Sequence, residues 1–417
     1  MYALKNALLI DGTGASPIKG ATLIIEENKI IAAGTNIQIP ESMTIIDLKG
    51  KTILPSFIEA HLHMGGITEI ADLKESAFGG RQYTRNFADL RESSLKYGVT
   101  TVRSCGDYLN DALSLRDDIE SGRLVGPRIV TCGRSFQRKG GHPGSTVWRE
   151  NPITLEAAAA LPETPEEART MVRELVNAGV DFIKIIINYL NLVAPAKPSL
   201  PKIDFAIVEA IADESHKYNK LVAAHCENAS DALLAVKAGV DDIEHLILPS
   251  SNQVTQTSPD IYRELFALMA GKGTYLTPTA IVSAIHGNKD HSATPSAYRY
   301  GSTIFKQAFD SGVKLTMGTD SGAPGVYHGL TLHGELEIMV NEQGIPALDV
   351  IKAVTKTNSE LVGKSDIIGT IEKGKLADLL IISGNPLEDI RNTRNIEMVI
   401  RDGKIVVDHL LRQSALR

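Results

Sequence analysis

Cysteine is scarce in this chain, which has only three cysteines in 417 residues. Cys105, Cys132 and Cys226 are odd in number and far apart, so a disulfide framework is not expected to hold the fold together. An excess of positive charge is also missing, because 43 Lys and Arg stand against 50 Asp and Glu, for a formal net charge of -7. No dense basic run occurs. The composition therefore disfavours a nucleic-acid-binding protein, whose affinity would come from clustered Lys and Arg.

Long apolar runs are absent as well. No stretch approaches the ~20 consecutive apolar residues that a membrane-spanning helix needs. The first residues, MYALKNALLIDG, lack the apolar core and the small-residue cleavage site of a secretory signal peptide. We therefore expect a soluble, cytoplasmic protein with no membrane partner.

What is present is the composition of a globular protein, with 43% hydrophobic and 22% charged residues. The length suits one large barrel with a small accessory domain. Both ends of the chain consist of short β-strand patterns separated by turn residues, with ATLIIEENKIIAAG near the start and ADLLIISG and IEMVIRDGKIVVD near the end. We predict that residues 1–57 and 369–417 meet in one small β-sandwich domain.

The middle of the chain, residues 58–368, alternates short apolar runs with longer stretches of helical spacing, such as PEEARTMVRELVNAG and DFAIVEAIADESHKYN. The eight candidate strands are TILPSFIEAHLHM, VTTVRSCG, RIVTCGRSF, VDFIKIII, LVAAHC, DDIEHLI, GTYLTPTA and VKLTMGTD. Eight such units, without a Gly-x-Gly-x-x-Gly turn, favour a closed (β/α)8 TIM-like barrel over an open doubly wound sheet. The predicted fold class is thus α/β.

Six potential metal ligands fall in or at the ends of five of these strands, where barrel enzymes place their chemistry. They are His61, His63, Lys184, His225, His245 and Asp320. The spacing of the first two histidines puts both imidazoles on one face of a strand. Taken singly, each residue is more often structural: a lone His is usually a satisfied one, and an Asp in GTDSGAP can cap a turn. Their coincidence in one order along the barrel favours a metal site, and imidazole and carboxylate ligands suit zinc and its neighbours.

These motifs resemble the binuclear amidohydrolase superfamily, in the type that carries a carboxylated lysine. The similarity rests on HLH after strand 1, Lys in FIKIII, His after strands 5 and 6, GTD after strand 8, and the returning segment GTIEKGKLADLLII. Within the superfamily, TTVRSCG, GGHPG and HGLTLHGELE are most similar to the branch of Xaa-Pro dipeptidases and metal-dependent carboxypeptidases.

The resemblance implies two divalent metal ions, expected to be zinc, with each ligand in a stated place. His61, His63 and Asp320 would hold the first metal, and His225 and His245 the second. Lys184, carboxylated on its side-chain nitrogen, would bridge the two. A metal-bridging hydroxide would attack the scissile carbonyl while Asp320 carries the proton to the leaving nitrogen.

Five further residues are candidate substrate contacts: His142, His328, Arg103, Glu227 and Tyr189. The resemblance gives His142, in GGHPGS, a catalytic role in binding or polarising the substrate carbonyl, whereas the alternative is a loop histidine among turn residues. Arg103 would meet either a substrate carboxylate or a buried ion-pair partner. Glu227 would attract a cationic group or support His225.

The implied function is cleavage of an amide C–N bond in a small-molecule substrate, a dipeptide or an N-acyl amino acid, by a homo-oligomeric enzyme. Cys226 and Glu227 stand where the dipeptidase branch often has Tyr, and HCEN is similar to the hydantoinase branch. A cyclic amide, carbamate or lactone therefore stays open as the substrate. A deaminase is disfavoured by the lysine in FIKIII, and a non-catalytic scaffold by the presence of all six ligands.

Overall fold

The computed structural model describes residues 1–65, 87–187, 200–246, 259–287 and 304–410. Tyr189, one of the predicted substrate contacts, lies outside the described residues. Among the described residues, no helix is both long and apolar enough to cross a membrane. The expected homo-oligomer stays a prediction.

The strands follow one another from the first residues to the last. They are β1 (Tyr2–Leu9), β2 (Ile18–Glu26), β3 (Lys29–Gly34), β4 (Thr44–Asp47), β5 (Thr52–Pro55), β6 (Phe57–Leu62), β7 (Val99–Ser104), β8 (Arg128–Thr131), β9 (Ser135–Phe136), β10 (Ala159–Ala160), β11 (Ile183–Ile187), β12 (Val222–Cys226), β13 (Asp242–His245), β14 (Tyr275–Thr277), β15 (Lys314–Leu315), β16 (Leu379–Ile382), β17 (Ile396–Arg401) and β18 (Lys404–Asp408).

The helices fill the intervals between the later strands. They are α1 (Ala88–Lys96), α2 (Leu109–Glu120), α3 (Pro152–Ala158), α4 (Pro165–Ala178), α5 (Phe205–His216), α6 (Ala229–Lys237), α7 (Pro259–Lys272), α8 (Ala280–Gly287), α9 (Ile304–Asp310), α10 (Leu330–Glu337), α11 (Ala347–Lys352) and α12 (Asn358–Leu361), with π-helical turns at Ile338–Glu342 and Ala353–Thr357 and a 3-10 turn at Ile390–Arg394.

The two ends of the chain form one eight-stranded sheet, in the order β18-β17-β16-β5-β1-β2-β3, with β4 also paired to β1. The join is the antiparallel pairing of β16 with β5, in which Leu380 faces Leu54. Apolar residues from both ends, such as Leu4 and Ile400, pack in one core cluster. The prediction that the ends of the chain come together is confirmed, while the domain limits at 57 and 369 stay a prediction.

The middle of the chain contributes two parallel sheets. One has the order β6-β7-β8 and the other β10-β9-β11-β12-β13-β14-β15. Every residue of β7, β11 and β12 is buried, as expected for parallel strands covered on both faces. All eight predicted strand positions are occupied, although RIVTCGRSF is divided between β8 and β9 in different sheets, and the two helix candidates form α4 and α5. The structure is thus a mixed α/β fold with parallel sheets.

The first predicted strand, TILPSFIEAHLHM, is wrong as a single element. Its first part is β5 in the mixed sheet, and its second part is β6 in a parallel sheet. Ser56 lies between them, where its N–H donates to Asp378 O at 3.0 Å and its hydroxyl contacts the Thr100 hydroxyl. The break cannot be seen in the sequence, because both halves of the segment are buried and the apolar run is continuous.

Asn358 links β6 to the segment that follows β15. Its Nδ2 donates to Ile58 O and to Met317 O, and its Oδ1 accepts from Met317 N at 2.9 Å. The side chain is completely buried. Because β6 carries His61 and leads to His63, and the other segment leads to Asp320, this amide helps to fix the relative positions of three predicted ligands.

We expect Asn358→Leu to lower the free energy of unfolding by at least about 2 kcal/mol, because the buried N–H of Met317 loses its partner and the buried carbonyl of Ile58 loses a donor. Denaturant unfolding measures the change. Ser359→Ala is the matched control, since its hydroxyl donates to Lys356 O one helical turn earlier. An Asn358→Leu protein as stable as the Ser359→Ala protein would contradict this role.

Candidate metal centre

The first three predicted ligands lie together at the carboxyl ends of their strands. Asp320 Oδ1 is 3.3 Å from His61 Nε2 and 3.2 Å from His63 Nε2. Ligand atoms of all three residues lie within 4.8 Å of one another. His63 Nδ1 donates to Gly106 O at 3.1 Å, which leaves its Nε2 facing Asp320. One small cation could contact all three side chains.

The histidines of β12 and β13 continue this cluster. The ring centroids of His61 and His245 are 4.8 Å apart, and those of His225 and His245 are 4.4 Å apart. Parallel pairing sets the arrangement, since β12 lies between β11 and β13 with Cys226 opposite His245. Imidazoles from three strands therefore meet at one end of the parallel sheets.

Lys184 lies in β11, the strand next to β12, and is 1% exposed. Its Nζ lies against the carboxylate of Glu244, which is also buried. Burial lowers the pKa of Lys184, because the charged form loses its hydration. Lys184 is therefore buried beside an acidic neighbour, and its amine is shifted toward the neutral form.

Burial also keeps three of the histidines, His61, His225 and His245, neutral. It lowers the pKa of His61 and of His225 to about 3, and the charge of Lys184 adds to both shifts. It holds the pKa of His245 well below its usual value. Burial would also lower the pKa of His63, but the hydrogen bond and charge of Asp320 outweigh it and raise that pKa. A neutral imidazole has the lone pair that metal binding requires.

Asp320 is held in its charged form, in contrast to the neutral histidines around it. Burial would raise its pKa, but the contacts with the rings of His61 and His63 outweigh burial and hold the pKa well below its usual value. Asp320 is therefore ionised at neutral pH. A carboxylate in this state can bind a cation or accept a proton.

The residues fit a divalent metal. In the described part of the chain, both ring nitrogens of His61 and the Nε2 of His225 are buried without an aligned hydrogen bond. Buried polar atoms are normally satisfied, so such exceptions require an explanation. Four imidazoles and a carboxylate form the donor set that suits zinc and similar cations.

Glu244 is a residue of this region that the sequence analysis missed. Its Oε1 lies 2.9 Å from His61 Nδ1 and accepts from Cys105 Sγ at 3.4 Å. Ligand atoms of these three residues also lie within 4.8 Å of one another, but the cations of Lys184 and Arg103 beside Glu244 disfavour a further metal there. The available signal was an acidic residue inside the otherwise buried strand DDIEHLI.

Asp107 was also missed. It accepts from Met64 N at 3.0 and 3.1 Å and from Ser104 Oγ at 2.6 Å. Burial raises its pKa, although hydrogen bonds and the charge of His63 oppose the shift. The carboxyl group therefore holds the backbone that follows His63.

Of the two partners predicted for Arg103, a substrate carboxylate and a buried ion-pair partner, the structure shows the second. Its guanidinium donates to Asp242 at 2.6 Å and lies over the Phe182 ring, 4.0 Å from the centroid. Asp242 also accepts from the Thr277 hydroxyl at 3.0 Å. Arg103 is 1% exposed, and the structure does not bring it to a position where a substrate carboxylate could reach it.

His142 and Glu227 lie beside His225. The ring centroids of His142 and His225 are 5.4 Å apart, and the His142 Nδ1 contacts the Thr146 hydroxyl at 2.7 Å. Burial lowers the pKa of His142 to about 3, so its imidazole is neutral. Glu227 is buried, with Oε1 3.9 Å from His225 Nε2.

The side chain of His328 forms a hydrogen bond with the backbone. Its Nε2 donates to His63 O at 2.9 Å, and its own carbonyl accepts from the Ser93 hydroxyl. Burial lowers its pKa. The structure therefore places His328 next to a predicted ligand, as a support for the backbone of His63.

The chain is similar to known enzymes along most of its length. Ochratoxinase of Aspergillus niger is 24% identical, over 92% of this chain and 81% of that protein. Imidazolonepropionase of Geobacillus kaustophilus (strain HTA426) is 21% identical, over 94% of this chain and 91% of that protein. The crystal structure of a Xaa-Pro dipeptidase with bound methionine in the active site superposes with a TM-score of 0.79 at 30% identity, covering 97% of this chain and 99% of that one.

A family description also matches most of the chain. The pattern described as "Amidohydrolase family" covers residues 52–406, which include β5 through β17 and every predicted metal ligand. The resemblance to this superfamily and to its dipeptidase branch is confirmed. Metal binding is typical of this family, and its homologues are enzymes. The chain therefore belongs to the amidohydrolase family and is a hydrolytic enzyme.

Proposed function

We propose that the protein is a metal-dependent hydrolase that cleaves the amide C–N bond of a dipeptide or an N-acyl amino acid. The observation that carries the proposal is the convergence of four imidazoles and the Asp320 carboxylate around one point at the ends of parallel strands. Buried, neutral histidines beside an ionised carboxylate form a cation site rather than a set of structural hydrogen bonds.

The architecture that we propose for this site is a closed (β/α)8 barrel. Hydrogen bonds support closure at both seams between the two parallel sheets. Ala60 N donates to Met317 O at 3.0 Å on one side, and Asp181 N donates to Thr131 O at 2.8 Å on the other. The barrel would comprise residues 58–368, with the sheet from residues 1–57 and 369–417 as the accessory domain.

Two divalent ions, zinc in our proposal, would be held by two groups of ligands. His61, His63 and Asp320 would hold one, and His225 and His245 the other. Bound cations of this kind polarise a substrate carbonyl and lower the pKa of water. Asp320, ionised and bonded to two histidines, would accept the proton of the attacking water and deliver it to the leaving nitrogen.

Lys184 would complete the site as a carbamate. Its burial favours the neutral amine, which can add carbon dioxide through its nitrogen lone pair with loss of a proton. The product offers two anionic oxygens in place of a cation. A carbamate nitrogen keeps one hydrogen, so the contact with Glu244 would persist as a hydrogen bond.

His142 would contact the substrate next to His225. Its ring is neutral and lies 5.4 Å from that of His225, centroid to centroid, which places it beside the second metal position. The similar Xaa-Pro dipeptidase structure has an amino acid, methionine, in its active site. This similarity favours a substrate that carries an amino-acid portion. The relative named imidazolonepropionase favours a ring substrate as the second candidate.

The test is a substrate panel with metal analysis. Protein loaded with zinc should bind two ions per chain and hydrolyse a dipeptide or N-acyl amino acid faster than its carboxyl-amidated analogue. His142→Ala should raise KM about 10-fold or more while both metals stay bound, because the loss of one hydrogen bond to a charged or polarised group has that effect. His216→Ala, whose ring bonds to Asp241 in the exposed part of the fold, is the matched control.

Two results would contradict the proposal. Active wild-type protein without bound metal would rule out the metal-dependent hydrolase. Equal rates on a substrate and its amidated analogue, with faster hydrolysis of hydantoins, would assign the cyclic-amide alternative.

A further inference from the structure

One hydroxyl lies against a predicted metal ligand from outside the cluster. Thr279 Oγ1 is 2.7 Å from His245 Nδ1. Both side chains are buried, with Thr279 1% and His245 3% exposed. Thr279 lies just beyond β14, and His245 is the last residue of β13, so the contact joins the ends of two neighbouring parallel strands.

The backbone on both sides of this contact is strained. His245 has φ of 76°, Leu246 of 56° and Thr279 of 47°. A positive φ is uncommon outside glycine and is a marked outlier for a β-branched residue such as threonine. Such a conformation is unfavourable and persists only where the surrounding structure imposes it. Something in the fold must therefore hold the Thr279 backbone in this conformation.

Glu335 supplies that constraint. Its carboxylate accepts from Ala280 N at 3.1 Å and from Ile281 N at 2.8 Å, the two N–H groups that follow Thr279. Glu335 belongs to α10 and is completely buried. These N–H groups begin α8, so the carboxylate both satisfies the start of the helix and fixes the turn that carries the hydroxyl.

We infer that Thr279 is a positioning residue for His245. In this arrangement His245 Nδ1 donates its proton to the Thr279 hydroxyl, which leaves the lone pair of Nε2 for the cluster formed with His61 and His225. The Glu335 carboxylate holds the hydroxyl in place through the backbone. A histidine that ligates a metal with one nitrogen commonly bonds through the other, and that bond fixes both its tautomer and its ring orientation.

The inference rests on the proposed function, because it requires His245 to bind metal. The reverse arrangement, in which the threonine donates to Nδ1, would put a proton on Nε2 and prevent metal binding by that atom. The two directions therefore differ in what loss of the hydroxyl does to metal affinity. Without the hydroxyl, affinity falls in the first case and is unchanged or rises in the second.

Thr279→Val and Thr279→Ser separate the hydroxyl from the backbone. Valine has the same β-branched shape as threonine and lacks the hydroxyl, whereas serine keeps it. Full-length protein is stripped of metal and titrated with Zn²⁺ in competition with a chelator, and kcat and KM are measured on the loaded enzyme. Thr279→Val should bind the weaker Zn²⁺ about 10–100-fold less tightly, as is usual when such a supporting bond is lost. Thr279→Ser should bind Zn²⁺ with an affinity within about threefold of wild type. In both variants kcat should change in line with Zn²⁺ affinity, whereas KM should not.

Thr393→Val is the matched control. The Thr393 hydroxyl also contacts a histidine Nδ1, that of His333, at 3.0 Å, and both residues are completely buried. The other nitrogen of His333 donates to Tyr97 O, so this histidine has no role in the cluster. Thr393→Val should lose stability because a buried contact between threonine and histidine is removed, and it should leave Zn²⁺ affinity unchanged.

Three outcomes would overturn the inference while the proposed function stands. They are Thr279→Val with wild-type Zn²⁺ affinity, Thr279→Ser as weak as Thr279→Val, and Thr393→Val equally weakened. If Thr279→Val does not fold, Thr279→Ala and Thr279→Ser are compared in the same way. Wild-type protein that binds no Zn²⁺ would instead overturn the proposed function itself.

Discussion

Asp320→Asn is expected to lower kcat by about 100- to 10,000-fold, which is the usual effect of removing a general acid–base group. Asparagine keeps the shape of the side chain and one ligating oxygen, but it cannot accept the proton. It also tolerates the backbone of this position, where φ is 60°. Because the loss falls in the transition state, KM should change much less than kcat.

A comparison with Asp320→Ala separates the proton role from simple metal binding. Rates are measured with saturating Zn²⁺, together with the metal content of each variant. If Asp320 were only a ligand, asparagine would restore most of the activity that alanine loses. We expect both variants to be similarly slow once both metals are bound. Near wild-type turnover of Asp320→Asn would refute the proton role.

Lys184→Ala is expected to lose at least one metal ion and most of the activity. An ammonium group has no lone pair, so an unmodified lysine at this buried position cannot ligate a cation and would repel two of them. Its carbamate reverses the sign of the charge. A short carboxylic acid in solution should partly restore the activity of Lys184→Ala, because it replaces the missing oxygens.

Carbon dioxide provides a second test of the same residue. Stripped wild-type protein given Zn²⁺ should regain activity faster with bicarbonate than in solution free of carbon dioxide. His61→Ala is the matched control, since it loses a nitrogen ligand that neither bicarbonate nor a carboxylic acid replaces. An active Lys184→Ala variant would contradict the carbamate, and so would a metal-loaded crystal whose density at Lys184 ends at the amine. Lys184 would then be an unmodified lysine paired with Glu244.

Much of the fold was accessible from local pattern. Apolar runs bounded by turn residues gave the eight strand positions, since a strand buried on both faces must be apolar throughout. The segment TILPSFIEAHLHM shows the limit of that reasoning. Two buried strands in different sheets have the same composition, and their pairing with different neighbours, with Ser56 at the junction, separates them.

The sequence by itself determined the ligand candidates, because His61 and His63 are two residues apart on one strand and the others recur at strand ends. The tertiary structure alone decided what supports them. Arg103 could not be assigned until Asp242, 139 residues away, was seen to bind it. Asn358 contacts Ile58 from 300 residues away, and Thr279 contacts His245 from 34. The local sequence does not indicate such partners, because any buried amide or hydroxyl looks the same in sequence. Long-range packing determines which atom each of these groups contacts.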